Sequence, residues 1–318
     1  MEGKNEFFDS TIIDMIFHDG YSFRGVIEYL KILDQPISMV FSSNAVILSE
    51  TSCGNKILNN VIFYANELVS YKYVSPHQNY RMTLDTTKFY NEVKSIQKKK
   101  SLRLSKSAGD NSIRLQILDS YRQSNNNGGT LLPLEINRSS KSIYDPPKYK
   151  NINPVCTVPV NDFCSRCKNL SGCDQLKIFS SNKGVAIYGI NLGSTPKLED
   201  FGSFDPNEDI MVEEEKPSVV SYDFGNLNLD NIDNTKTIVL YSGDTDNTDS
   251  NTNGVTIQNT IMKALLKLSI ISNNGTIKFY IDKEYMNVNN NRIIKYSPIG
   301  IICHIGTYGM LSVFIREN

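Results

Sequence analysis

Two cysteines one helical turn apart are the residues whose type and spacing first suggest chemistry. Cys164 and Cys167 form a Cys-x-x-Cys pair, with Cys156 and Cys173 close by in the sequence. A structural zinc ion needs four converging ligands, which proteins usually supply as two well-spaced pairs. Here Cys167 falls on the apolar stripe of a predicted helix, so the set lacks a second converging pair. We therefore expect reduced thiols and no metal site.

Other residues capable of chemistry also lack the spacing that a site requires. The three histidines, His18, His77 and His304, form no His-x-His or His-Glu-x-x-His pattern, and the sequence has no glycine-rich phosphate loop. The aspartate-rich segment that begins at Gly243 resembles a calcium loop in composition alone. The sequence therefore predicts neither an enzyme nor a cofactor. A hydrolase or transferase with a carboxylate site is the remaining alternative, but neither a base nor a nucleophile accompanies the acidic residues.

The overall composition is that of a globular protein. The chain has 318 residues, of which 40% are hydrophobic and 21% charged, with a net charge of -1. No apolar run approaches the ~18 residues that a membrane span needs, and we find no signal segment at the start of the sequence. The six cysteines are too unevenly spaced for a secreted disulfide framework. We expect a soluble protein that is neither secreted nor bound to a membrane.

One helix-and-hairpin unit occurs twice in the chain. The segment from Phe41 to Leu48 has the sequence FSSNAVIL, and the segment from Phe179 to Tyr188 has the sequence FSSNKGVAIY. Each joins two apolar runs through a Ser-Ser-Asn turn, which is the pattern of an antiparallel hairpin. An amphipathic helical segment precedes each copy. The repeat spans about half the chain, whereas solenoid repeats span ~20 to 50 residues, so it predicts two similar domains.

Four segments have helical periodicity, and all four carry cations opposite their apolar stripe. They cover residues 22–33, 84–97, 160–170 and 255–272. One such face is an ordinary solvated surface, but four in two repeated domains indicate a shared electropositive surface. We expect roughly half of these cations to contact nucleic-acid phosphates. The eleven candidates are Arg24, Lys31, Lys88, Lys94, Lys98, Lys99, Lys100, Arg166, Lys168, Lys263 and Lys267.

Turn signals and alternating apolar runs divide the chain into two domains and a connector. The predicted domains cover residues 1–121 and 154–318, and the connector covers residues 122–153. The connector combines a flexible Asn-Gly stretch with a stiff Asp-Pro-Pro sequence. Acidic residues collect in an insertion in the second domain, around residues 195–235. Strands are predicted at residues 11–17, 101–107, 112–118, 276–281, 292–296, 299–305 and 310–315.

This arrangement resembles the DNA sliding clamps of the proliferating cell nuclear antigen family, from about Thr11 to Arg316. The most specific stretch, DFCSRCKNLS from Asp162 to Ser171, is similar to the first helix of the family's second domain. The segment from Lys177 to Val185 follows with family-like spacing, and the segment from Gly309 to Arg316 resembles the family's last strand. The match is distributed over the chain, and none of these stretches is a catalytic signature.

The resemblance implies an α+β fold with two similar domains, each with two helices packed on antiparallel sheets. In that family three subunits close a pseudo-sixfold ring through edge strands, and the helices line a hole around duplex DNA. For this chain the resemblance makes the strand at residues 112–118 one such edge. It also implies a homotrimer that binds double-stranded DNA without sequence preference and gives processivity to a DNA polymerase. The expected location is the nucleus, or a cytoplasmic replication site for a viral protein.

The resemblance also implies docking of replication or repair proteins near the connector and the last strand. The residues that we expect to contact such partners are Leu131, Leu132, Ile136, Phe314 and Ile315, for which local packing is the alternative. Two departures put a standard docking pocket in doubt. Thr51 lies near a position that is usually large and apolar, and the segment from Asn289 to Arg292 lacks an expected proline.

The large acidic insertion, the long connector and the Asn- and Lys-rich composition suggest a divergent clamp, of viral origin or from an AT-rich organism. Two alternatives share the same fold. One is a subunit of a heterotrimeric checkpoint-type clamp, and the other is a processivity factor that acts as a monomer. The divergent docking pocket favours both alternatives slightly over the homotrimer.

Overall fold

The computed structural model describes residues 11–34, 37–52, 57–75, 78–119, 129–134, 153–180, 184–191, 195–203, 254–281 and 299–315. These residues form an α+β fold in which every strand pair is antiparallel. Short 3-10 helices occur at Ala65–Glu67 and Lys168–Leu170. None of the described helices is long and apolar enough to cross a membrane.

The N-terminal half contains two helices and nine strands within the described residues. In chain order they are β1 (Thr11–Phe17), α1 (Gly20–Ile32), β2 (Ile37–Phe41), β3 (Ala45–Ser52), β4 (Ile57–Tyr64), β5 (Ser70–Tyr73), β6 (Tyr80–Leu84), α2 (Thr86–Val93), β7 (Ser101–Ser107), β8 (Ser112–Leu118) and β9 (Thr130–Pro133). The strands predicted at residues 11–17, 101–107 and 112–118 are confirmed, as is the first of the two repeated hairpins, β2–β3.

The described elements of the C-terminal half follow a similar order, but four strands instead of five lie between the helical segments, and the second helical segment consists of two short helices. The elements are β10 (Cys156–Pro159), α3 (Val160–Cys167), β11 (Gln175–Ser180), β12 (Gly184–Ile190), β13 (Lys197–Gly202), β14 (Gly254–Ile257), α4 (Asn259–Leu265), α5 (Leu268–Ile271), β15 (Thr276–Ile281), β16 (Ile299–Ile305) and β17 (Gly309–Ile315). The second repeated hairpin, β11–β12, is confirmed. The strand predicted at residues 292–296 lies outside the described residues.

Three sheets connect these elements, and the largest joins the two halves. Its eight strands run in the order β10-β15-β16-β17-β4-β3-β2-β6. The junction is the pairing of β17 with β4, which runs from Gly309 opposite Phe63 to Ile315 opposite Ile57. The other two sheets each belong to one half, in the orders β5-β1-β7-β8-β9 and β13-β12-β11-β14. The two repeated units are therefore held in one continuous structure.

Helix α1 is capped at its N-terminus by Asp19, whose side chain accepts hydrogen bonds from amides that no helical carbonyl reaches. Its Oδ1 accepts hydrogen bonds from the backbone N–H groups of Tyr21 and Ser22, both at 3.1 Å. A side-chain cap of this kind stabilises a helix by about 1 kcal/mol. The stripe that contains Phe23 and Val26 is fully buried, as the periodicity predicts. The opposite face of α1 is therefore the one left toward solvent.

Two of the predicted helices are shorter in the structure: α2 ends at Val93 instead of residue 97, the helix predicted at 255–272 is divided into α4 and α5, and both start later than predicted. Residues 80–84 form β6, and helix α2 starts only after Asp85, whose Oδ1 accepts the N–H of Lys88 at 2.7 Å. Likewise residues 254–257 form β14, which pairs with β11, so the helix predicted at 255–272 is wrong at its start. The buried periodic positions Ile257 and Ile261 fit either structure, because both elements face the same core.

The aromatic core brings side chains of both halves together. The rings of Phe17 and Phe63 in the first half contact the ring of Tyr308 in the second, with centroids 5.4 and 5.9 Å from it. Burial raises the pKa of Tyr308 well above its usual value, so its hydroxyl stays protonated. That hydroxyl donates a hydrogen bond of 2.8 Å to the carbonyl oxygen of Asp19. The start of α1 is therefore fixed partly by the C-terminal half.

Strand β9 corrects the expectation that β8 is an edge of the sheet. Part of the predicted connector forms β9, which pairs with β8 from Ser112 opposite Pro133 to Leu115 opposite Thr130. Leu132 holds β9 in place because its side chain is 5% exposed and belongs to the core. Among the described strands, β9 and β5 are therefore the outer strands of this sheet, and β13 and β14 are those of the four-stranded sheet.

Candidate nucleic-acid interface

The five α-helices of the described residues form one layer that crosses the boundary between the two halves. Helix α1 contacts α2 on one side and α4 and α5 on the other, and α5 also contacts α3. The approach of α1 to α5 is close because Gly25 has no side chain. A Cβ atom at Gly25 would lie 2.8 Å from Cγ2 of Ile270 and 3.1 Å from Cγ1 of Ile271. The outer faces of the helices therefore lie side by side.

Positive charge is concentrated on this helical layer. Residues 20–32, 86–100, 160–170 and 259–271, which contain the helices and the loop after α2, hold eleven of the 33 Lys and Arg residues. The same segments hold three of the 34 acidic residues, Glu28, Glu92 and Asp162. An array of cations on one surface attracts the phosphates of a nucleic acid whatever its base sequence. The layer thus has the charge distribution of a phosphate-binding surface within a chain whose net charge is -1.

Four of the eleven candidate cations are exposed and make no side-chain hydrogen bond or ion pair with another described residue. They are Lys88 on α2, Lys99 in the loop after it, Lys168 at the end of α3, and Lys263 on α4. Each of these side chains can approach a phosphate without first breaking an ion pair within the described part of the chain. They come from both halves of the molecule, so the available charge extends across the whole layer.

Arg166 is held by carboxylates that the sequence patterns assigned to the acidic insertion. Its Nε donates to Oε2 of Glu199 and its Nη2 to Oδ1 of Asp200, both at 3.0 Å, and its guanidinium lies 4.6 Å from the ring centroid of Phe201. Burial alone would lower the pKa of Arg166, but the hydrogen bonds and charges of the two carboxylates outweigh it and raise that pKa. This cation therefore joins α3 to β13, and its charge is largely neutralised.

The carboxylate of Glu28 lies next to two cations where helices of the two halves meet. One of its carboxylate oxygens lies 2.7 Å from Nζ of Lys267, and the other lies 4.0 Å from Nη2 of Arg24. These three side chains are only partly exposed, so the group connects α1 to the C-terminal helices. Lys267 and Arg24 are thus less available to a ligand than Lys263, which lies one helical turn before Lys267 on the sequence.

The remaining candidate cations have weaker partners. Nζ of Lys31 lies 4.2 Å from the ring centroid of Tyr90, and Nζ of Lys98 lies 5.8 Å from that of Tyr21. Lys94 donates to the side chain of Asn91 at 3.2 Å, and Lys100 forms an ion pair with Asp119. Sequence patterns missed the tyrosine and asparagine partners because these side chains carry no charge to mark them. Asp119 was missed because it lies nineteen positions from Lys100 in the chain.

The expected partner-binding residues are mostly inside the protein. Leu132, Phe314 and Ile315 are 5%, 5% and 1% exposed, so the structure places them in local packing, which was the alternative to a partner contact. Leu131 points the other way and is 55% exposed. Ile136 lies outside the described residues. Of the four described candidates, Leu131 alone can touch a partner without a rearrangement of the core.

The cysteines that first suggested chemistry are buried thiols. Cys156, Cys164, Cys167, Cys173 and Cys303 are all buried and free of disulfide bonds. Burial raises the pKa of the Cys156 thiol to about 11 and that of the Cys303 thiol to about 12, so both are protonated at neutral pH. A metal ion or a catalytic reaction needs the thiolate form. Within the described ranges, no three His, Cys, Asp or Glu residues cluster closely enough to hold a metal ion.

The described residues form two repeated units of helices on antiparallel sheets, joined by one shared sheet. Among solved structures, the crystal structure of proliferating cellular nuclear antigen from Entamoeba histolytica shares this fold, with a TM-score of 0.62. The similarity covers 97% of this chain and 100% of that chain at 10% sequence identity, so it concerns the fold. No model of a protein family matches this sequence, and no curated protein matches it either.

Proposed function

We propose that this protein is a DNA sliding clamp, a scaffold without catalytic activity that surrounds duplex DNA and keeps a DNA polymerase on it. The observation that carries the proposal is the helical layer, whose four segments hold eleven cations and only three carboxylates. Contacts to phosphates carry no sequence information, so they allow a protein to move along DNA. The fold shared with a proliferating cellular nuclear antigen supports the same function.

A ring of three copies is the assembly that we propose. Strands β9 and β13 are outer strands of two different sheets within the described residues. Outer strands carry unpaired backbone N–H and C=O groups on one side, which pair readily with another chain. Contact between β9 of one copy and β13 of the next would join different surfaces, and such contacts close into rings when the rotation allows it. The helical layers of the three copies would then face the central hole.

The partners of this ring are double-stranded DNA, a DNA polymerase and other proteins of replication or repair. Leu131, exposed on β9, is the described residue that best fits an apolar partner contact. The ring would act in the nucleus, or at a cytoplasmic replication site if the protein is viral. The acidic residues Glu199 and Asp200 hold Arg166 under this proposal and perform no reaction.

A second candidate is a clamp-type subunit that does not form a ring with itself. Strand β9 has only four residues, which offers a short edge to a second copy. The burial of Leu132, Phe314 and Ile315 also removes most of the expected docking surface. A heterotrimeric checkpoint-type clamp or a monomeric processivity factor would fit these two features. The helical layer would contact DNA in either case.

The proposal is tested by the retention of the protein on circular DNA. The protein is incubated with a closed circular plasmid, washed with concentrated salt, and then treated with a restriction enzyme that cuts the plasmid once. Screening by salt abolishes phosphate contacts but cannot release a ring that surrounds a circle. We expect protein to survive the wash and to leave when the circle is cut. Equal loss from circular and linear DNA in the wash would contradict encirclement.

A further inference from the structure

The loop after α2 is fastened to the rest of the protein on both sides of its exposed lysines. The side chain of Ile96 is fully buried in the core. At the other end, the carbonyl oxygen of Lys100 accepts the N–H of Gly20 at 2.9 Å, and the Lys100 side chain pairs with Asp119. Between these points Lys98 and Lys99 are exposed. The loop is therefore a built feature that presents two cations to solvent.

Arg24 closes this loop from the neighbouring helix. Its Nη1 donates hydrogen bonds to the carbonyl oxygens of Lys94 and Ile96, at 3.3 and 3.0 Å. Both carbonyls follow the last residue of α2, where a helix leaves carbonyl groups without helical partners and favours a cation. The guanidinium also lies 4.7 Å from the ring centroid of Tyr21. The guanidinium of Arg24 thus joins α1, the end of α2 and the start of the loop that presents Lys98 and Lys99.

Arg24 is poorly placed to contact DNA itself. Its side chain is 21% exposed, and its Nε is buried with no hydrogen-bond partner. A phosphate would have to displace the contacts to two carbonyl oxygens and to Glu28. Lys99, by contrast, is exposed to solvent. Its backbone has a φ of 69°, which is in the left-handed region. Left-handed backbone at a lysine is unfavourable, so surrounding contacts must maintain it.

We infer that Arg24 is a positioning residue of the DNA interface, which holds the loop so that Lys98 and Lys99 contact phosphates. This inference rests on the proposed function and deepens it. Without the hydrogen bonds from Arg24, the end of α2 frays and the two lysines spread over many positions. A lysine that must first be ordered binds a phosphate more weakly than one already in place. Loss of Arg24 therefore weakens DNA binding indirectly, because Lys98 and Lys99 are no longer held in place.

The first test concerns the free protein and needs no DNA. Amide hydrogen exchange is measured for the wild type, for Arg24→Gln and for Arg24→Lys. We expect faster exchange at Ile96 and Lys100, whose N–H groups bond to Val93 and Gln97, in both variants. Lysine keeps the charge but cannot reproduce the planar, multiply bonded guanidinium. Unchanged exchange in Arg24→Gln would overturn the inference while leaving the proposed function intact.

The second test separates positioning from direct contact. Binding of a short fluorescein-labelled duplex is measured at several salt concentrations for Arg24→Gln, Lys99→Gln and the double variant. A positioning role predicts that Lys99→Gln has less effect in the Arg24→Gln background than in the wild type. A direct role predicts that the two losses multiply, and that Arg24→Gln lowers the slope of log K against log salt concentration by about 1. That second result would overturn the inference.

Failure of the proposed function has a different signature. In that case the wild type itself does not bind the duplex at low salt. If the wild type binds but Lys99→Gln has no effect, the loop does not contact DNA, and the DNA role of Arg24 alone is overturned. The exchange measurement would still report whether Arg24 orders the loop. Lys263→Gln is the matched control, because Lys263 is exposed and lies on α4, a different element from this loop. Its effect should be the same with and without Arg24.

Discussion

Reversal of three exposed charges on the helical layer should abolish the association of this protein with duplex DNA at physiological salt. The variant combines Lys88→Glu, Lys168→Glu and Lys263→Glu, one residue from each of α2, the end of α3, and α4. These side chains have no hydrogen bond or ion pair with other described residues, so their replacement breaks no internal contact there. Each lysine that contacts a phosphate contributes roughly 0.9 to the slope of log K against log salt concentration.

The matched control changes the net charge by the same amount on other surfaces. Arg114, Lys177 and Lys278 lie on β8, β11 and β15, at positions that alternate with buried residues, and all three are replaced by glutamate. We expect this variant to bind DNA only slightly less tightly than the wild type, because long-range repulsion is screened by salt. Equal losses in the two variants, measured by fluorescence anisotropy with a labelled duplex, would contradict a localised DNA interface.

Replacement of Gly25 by valine should lower the free energy of unfolding by roughly 1–3 kcal/mol, the usual cost of overpacking a tight contact. The new side chain would meet Ile270 and Ile271 at less than normal contact distance, so α1 and α5 must separate. Separation would also lengthen the 2.7 Å contact between Glu28 and Lys267. The change is measured as a shift of the urea denaturation midpoint.

A valine at Gly172 is the control for the intrinsic effect of the substitution. A Cβ atom at Gly172 meets no atom within 4 Å, so the side chain has room there. Gly25→Ala should cost less than Gly25→Val, since alanine favours a helix by about 1 kcal/mol over glycine and adds a single methyl group. A Gly25→Val variant as stable as the wild type would show that the two halves do not pack through this glycine.

Periodic patterns predicted most of the architecture because they reflect burial directly. The two copies of the hairpin and the buried stripe of α1 that contains Phe23 and Val26 agree with the structure, since each buried position repeats at the spacing of its element. Strand β9 was missed because a strand of four residues is too short to show a period. The same limit applies to β14, which also has four residues and is separated from α4 by Gln258 alone.

The sequence predicted the cationic surface of the candidate site, but it did not predict which groups form hydrogen bonds or ion pairs with those cations. Sequence spacing places Arg24 and Arg166 on outer helix faces but cannot show which carbonyl or carboxylate lies opposite. The partners of Arg166, at Glu199 and Asp200, are more than thirty residues away in the chain and meet it only because β13 packs beside α3. Burial of Phe314 and Ile315 depends likewise on tertiary packing. Charge patterns in the sequence thus identify the cationic surface. Which of its cations can still bind a ligand depends on the internal contacts that the fold gives them.

The mass of the protein in solution tests the central claim, that copies of this chain close a ring around DNA. It is measured by light scattering coupled to size exclusion over a series of protein concentrations. We predict a species of about three times the chain mass of 35.9 kDa, which persists as the protein concentration is lowered. A particle of 35.9 kDa at every concentration would contradict the self-closing ring and leave the subunit of a mixed clamp, or a monomeric factor, as the function.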